Sequence, residues 1–278
     1  MATMKIQISK DDFEQSILAA TSSHSEVFES VEPHFKESYL RLSQQILGEV
    51  GEAALETSDD LREAVIKAVC LDAFLGVVRH LDLVLTPTGF GVVANNEVTP
   101  ASSSRVEALI EQCRIALIVA QDTVMSHLTV VSGWGSTLQA QQGIQTVVWS
   151  MEGYCYLTRQ TSMTSKDWMS KLAAMQEADA TLRKLVSDEQ MDDIMCLVRG
   201  VREGNEFEGC VRLMLSRSLI MLANDMLSAY SNERARLLRY FDAHLGNFPI
   251  YADSSAYKAN HFKEFNNEKS KPAFVFNA

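Results

Sequence analysis

Apolar residues return every three or four positions over most of this 278-residue chain, the spacing of helices that bury one face. Helices are predicted at 11–20 and 33–50, the second opened by Pro33 near its first turn and carrying Phe35, Tyr39, Leu42, Ile46 and Leu47 on one side. A third follows the capping residues Ser58 and Asp59 and runs to residue 80 or so, with Val65, Ala68, Val69, Leu75 and Val78 aligned. Pro100 and the serines at 102–104 precede the most regular stretch, in which Val106, Leu109, Ile110, Cys113, Leu117, Ala120, Val124 and Leu128 keep the helical period. Further helices are predicted over 166–186, 187–199, 207–230 and 233–245. Ser187 and Gln190 stand at the spacing of a capping box. Residues 210–227 are apolar almost all round, which predicts a helix buried between neighbours.

The period changes in three places. Residues 81–98, LDLVLTPTGFGVVANNEV, are rich in β-formers broken by Pro-Thr-Gly, which predicts a β-hairpin near residues 82–98. Residues 130–161 are punctuated by Gly133, Gly135, Gly143 and Gly153 and have β-like content in TVVWS and YCYLT, so the pattern assigns them to no one element. From 246 onward the chain turns to Asn, Lys, Ser and aromatics and ends in FVFNA, the composition of an extended C-terminal arm. The expected fold class is therefore mainly α. A helical bundle body over 1–245, carrying the hairpin, is followed by the arm at 246–278. A helix-helix-β order at 33–95 could recur at 166–276, which leaves a duplicated helix-helix-β module open beside the plainer reading that helical proteins commonly look this way.

Charge narrows the function classes. Asp and Glu outnumber Lys and Arg by 36 to 25, a formal charge of -11, which argues against a protein whose main task is to neutralise phosphates. The basic concentrations are Arg234, Arg236 and Arg239, then Lys258, Lys263, Lys269 and Lys271, read as mostly solvated. The five cysteines, Cys70, Cys113, Cys155, Cys196 and Cys210, are widely spaced with no C-x-x-C pair and read as reduced core residues. The N-terminus has no signal-peptide pattern and the apolar runs are too short to span a bilayer, so no membrane partner is expected and synthesis in the cytoplasm is.

Catalytic chemistry is not signalled. No histidine has a carboxylate three residues before it, as helical di-metal sites require. Neither Gly89-Phe90-Gly91 nor Gly133-Trp134-Gly135 continues into a phosphate-binding loop, and no G-x-S-x-G elbow is present. The expectation is a protein that is not an enzyme, with no cofactor, no metal and no catalytic residue. The rival from another class is a soluble helical enzyme or regulatory module with its site spread across the fold.

Residues 81–110, from LTPTGFGVV through the Pro100-Ala101-Ser102 turn to Arg105-Val106, resemble a signature of a family of uncharacterised virion proteins of tailed bacteriophages and prophages. The flanking similarity is weaker and extends to the aromatic tail around Phe274-Val275-Phe276. The resemblance implies a structural role as a head-to-tail connector or adaptor. The alternatives in the same class are a tail terminator, a tail ring or a capsid accessory protein. It implies a homo-oligomeric ring, of twelve copies by analogy with portal-bound adaptors, that contacts the portal protein and neighbouring tail proteins. Double-stranded DNA would pass through without sequence-specific binding, and the location would be the virion, assembled in the host bacterial cytoplasm. Thr86, Pro87, Thr88, Gly89, Phe90 and Gly91 at the turn, with Phe274 and Phe276 in the tail, are the expected protein-interface residues, since Pro87 pre-sets a turn and the glycines permit positive φ.

Overall fold

The computed structural model describes residues 4–17, 25–81, 83–86, 89–92 and 102–262. Thirteen α-helices are present among them. The first part of the chain supplies α1 (Lys10–Ser16), α2 (Ser25–Leu42), α3 (Gly48–Ala54), α4 (Asp59–Val77) and the long α5 (Ser103–Leu128). Two short helices, α6 (Leu138–Gly143) and α7 (Met151–Thr158), lead to α8 (Ser165–Val186), α9 (Asp188–Val198), α10 (Glu206–Ala223), α11 (Leu227–Ala243), α12 (Pro249–Asp253) and α13 (Ser255–Asn260). Helix α4 is sandwiched between α2 and α5, while α10 lies between α8 and α11. One continuous core runs from Ile6 to Tyr251 through both groups.

Side-chain caps explain many of the boundaries, because each supplies an acceptor to an amide the helix leaves unbonded. Ser58 accepts from Leu61 N–H at α4, and Thr164 from Asp167 N–H at α8. Ser9 with Asp12 and Asn205 with Glu208 form complete capping boxes on α1 and α10. The expected box at Ser187 forms only by half. Ser187 accepts from Gln190 N–H at 3.2 Å, but the Gln190 carboxamide is buried and its Oε1 accepts from Tyr251 N–H instead, tying α9 to α12.

Several boundaries differ from the sequence pattern. Pro33 lies inside α2, which starts at Ser25. The missing proline amide is outweighed by burial of Val31 and by Phe28, whose ring packs edge-on to Phe13 at 5.8 Å. After α2 the chain widens into a π-helical stretch, Ser43–Leu47, before Gly48 turns it at φ 60°. The single helix expected over 207–230 is broken between α10 and α11, where Asp225 adopts a left-handed φ of 56°, a conformation Asp and Asn tolerate better than most residues. Met214 is buried as expected, but Met226 at the break is half exposed.

The expected fold class is corrected on three points. The body is built from helices, and the β-hairpin predicted near residues 82–98 is not one of its constituents. The strand pairing present is a ladder of four residue pairs, from Leu83 opposite Val92 to Thr86 opposite Gly89, and it joins no further strand among the described residues. A lone two-stranded ladder adds no layer and is marginal in water. The duplicated helix-helix-β module is not met among the described residues either, since 166–262 contains helices and turns and no strand, and 263–276 lie outside them. The C-terminal arm expected from 246 begins instead as helices α12 and α13, with Phe248 and Tyr251 buried against Phe241. Pro249 at the first turn of α12 and Ser254 capping α13 are helix-starting residues, and the aromatics read as arm composition are core anchors. Residues 263–278 lie outside the described residues.

Candidate functional site

Among the described residues, the surface includes two open grooves and a small pocket around a buried carboxyl. The first groove, of about 670 Å³, lies where α3 and the turn after it meet the segment following α5. Gly51 lets α3 approach closely, for a Cβ there would stand 3.0 Å from Leu128 Cδ2. Helix α5 ends at Leu128, and Gly133 turns the chain at φ 87°. Between them Val130 is left 85% exposed above a floor of Val50, Ala53, Ala54 and Val131, with Glu49 on the rim.

The position of this groove is fixed by a close join behind it. Trp134 is fully buried and donates its indole N–H to the Ile46 carbonyl in the π-helical stretch, at 2.9 Å. Gln139 Nε2 donates to Gln44 O beside it. On the other side Gly200, at φ 75°, packs so tightly that a Cβ would overlap the Thr129 carbonyl, and one at Gly135 would overlap that of Arg199. Arg199 Nε then donates to Ile144 O at 2.9 Å. The end of α9 and the end of α5 are thereby locked together.

The second groove, of about 440 Å³, is formed by the loop 147–150, the outer face of α7 and the start of α10. The period of α7 turns Tyr154 inward, edge to face with Trp168 at 5.9 Å, and Tyr156 outward, 84% exposed. Leu213 adds a half-exposed apolar side chain from α10. Arg212 lines the same groove and makes no ion pair or side-chain hydrogen bond among the described residues. It reaches solvent, yet burial among its neighbours lowers its pKa below the ordinary arginine value.

The pocket, of about 180 Å³, lies among α5, α8 and the 142–149 segment. Asp122 is 7% exposed, and its Oδ2 accepts from Met151 N–H, the first amide of α7, at 2.8 Å. Burial pushes its carboxyl up to about 7, against the pull of that hydrogen bond. Across the mouth Gln176 Nε2 donates to Gln145 Oε1 at 2.6 Å, and Trp149, Trp168, Leu172 and Met169 line the pocket. Asp122 is the one acidic or basic side chain in that lining, so the pocket can hold or release a proton but brings no second group to a reacting atom.

Of the expected interface residues, Thr86, Gly89, Phe90 and Gly91 belong to the strand ladder by backbone, and their side-chain surroundings are not described. Pro87, Thr88, Phe274 and Phe276 lie outside the described residues. None of the groove or pocket residues was singled out as a site residue in the sequence, where Ser58 was read as a helix cap and Gly143 and Gly153 as breaks in the period. For Tyr156 the signal was present in the two-residue offset from Tyr154, but YCYLT reads equally well as a strand. For Asp122 it was an acid four residues after Ile118 and three before Met125, inside the apolar stripe of α5.

None of the five cysteines forms a disulfide. Cys70 and Cys113 are buried as expected, Cys155 and Cys196 are half buried, and Cys210 is exposed. Among the described residues no cluster of His, Cys, Asp or Glu is placed to hold a metal ion. No described helix is long and apolar enough to cross a membrane.

A family model described as a family of unknown function (DUF6712) matches residues 32–137. That stretch runs from within α2 to the turn after α5, contains the Val130 groove entire, and includes 81–110. No curated protein and no solved structure matches the chain significantly.

Proposed function

We propose that this chain is a structural, non-enzymatic subunit of a tailed-bacteriophage virion, a head-to-tail connector or adaptor that forms a ring beneath the portal and contributes to the passage for double-stranded DNA. The observation that carries the assembly part of this reading is the pair of apolar grooves, each with one aliphatic or aromatic side chain more than four-fifths exposed, Val130 at 85% and Tyr156 at 84%. Exposed apolar surface gathered into concave patches is what subunit contacts cover. The virion part rests on the resemblance of 81–110. The acidic balance suits a wall along which DNA slides without being gripped.

Two experiments test the reading. Mass spectrometry of purified particles encoded beside this gene should detect the chain as a structural component, and its absence from particles would refute the virion role. Cryo-microscopy of the same particles should place its density as a ring next to the portal. Density elsewhere would favour a tail terminator, a tail ring or a capsid accessory protein.

A further inference from the structure

We infer that the two grooves are the two sides of one head-to-tail contact between copies of this chain, in which the Tyr156 ring of one copy enters the Val130 groove of the next and Arg212 comes against Glu49. This rests on the assembly reading above and names the surface that would build it.

A closed ring needs two different, mutually complementary patches on each subunit, because a patch that pairs with itself stops at a dimer. The two grooves share no residue: one is built from α3, the turn after it and the end of α5, the other from α7 and α10. At about 670 Å³ the first has room for a tyrosine ring, and its floor of Val50, Ala53 and Ala54 is apolar. Charge selects the pairing. Glu49 is the one charged side chain lining the first groove, and Arg212 the one charged side chain lining the second. Glu49 is exposed and, like Arg212, has no ion pair among the described residues. A groove meeting its own copy would set Glu49 against Glu49 or Arg212 against Arg212, and like charges at an interface are disfavoured. The chain's own residues 263–278 are a poorer occupant for the Arg212 groove, since they carry three lysines and two glutamates.

The test uses the full chain in native mass spectrometry across a concentration series, with far-UV circular dichroism to check folding. Val130→Asp blocks one face and Tyr156→Asp the other. Each variant alone should be monomeric where the wild type forms larger species. Mixed in equal amounts they should give one heterodimer and nothing larger, because each retains the face its partner needs. Glu49→Arg or Arg212→Glu should weaken self-association at least about tenfold, and the double exchange should restore it to within about threefold.

A wild type that stays monomeric throughout, or homodimers forming within a single blocked variant, would overturn the contact. So would wild-type oligomers that survive all four substitutions, and that result would leave the ring reading standing on another surface. If Arg212→Glu leaves the oligomer intact but changes tryptic cleavage at Lys263 and Lys269, the groove holds the chain's own tail and the inference fails. The virion role itself is judged by the particle experiments, so the two failures are distinguishable.

Discussion

Gly200 and Thr129 touch backbone to backbone where α9 meets the end of α5, and the positive φ of Gly200 adds a second reason against any side chain there. Gly200→Ala must both strain φ and push the two helix ends apart, so denaturant unfolding should show a loss of at least about 2 kcal/mol. Asp122 makes the opposite kind of demand on its surroundings. Its folded pKa of about 7 stands above the 3.8 of an ordinary aspartate. The folded state therefore holds a proton that the unfolded chain has released, and the contribution of this group to stability falls as pH rises from about 4 through about 7. Asp122→Asn keeps an oxygen for Met151 N–H and removes that dependence. It should match the wild type near pH 4 and exceed it at pH 8 by on the order of 3 kcal/mol in urea titrations. An unchanged pH slope would count against the buried ionisation.

At the scale of elements, the helices with strong periods and visible caps were legible from the chain, above all α4, α5, α8 and α9. What the pattern missed was decided by partners far along the sequence. Pro33 inside α2 is tolerated because Val31 is buried and the partly buried Phe28 packs on Phe13, and α12 forms because Gln190, some sixty residues earlier, accepts from Tyr251 N–H. The ambiguous stretch 130–161 has weak local preference for the same reason. Its backbone is held by Thr137 and Ser150 caps and by the Trp134 bond to Ile46 O, 88 positions away. Trp134→Phe keeps most of the ring and leaves that carbonyl without its donor, which should cost about 1–3 kcal/mol in denaturant unfolding. The box opening α10 is local by comparison. Asn205→Ala should cost about 1 kcal/mol in thermal or urea unfolding.

Over the whole molecule, the core passes without interruption from the α2–α4–α5 group to the α8–α10–α11 group. Trp134 stands at the join and Trp168 in the second group, while helices on both sides contribute to the far-ultraviolet signal. Fluorescence and circular dichroism should therefore report one coincident urea transition, and two separated midpoints would show that the groups unfold independently. The mainly helical class was readable at this scale, and so was the acidic balance. The candidate surfaces were not, because a groove is defined by which elements meet. Val130, Tyr156 and Arg212 look ordinary in a linear pattern and stand out only once α5, α7 and α10 have been placed.

Cys210 is the one exposed cysteine of the five, and it follows directly on Gly209, which lines the Arg212 groove. The unaltered chain thus carries its own chemical footprinting handle. A bulky maleimide should label it quickly in the free subunit and slowly wherever something lies across that groove, reporting occupancy without an engineered mutation.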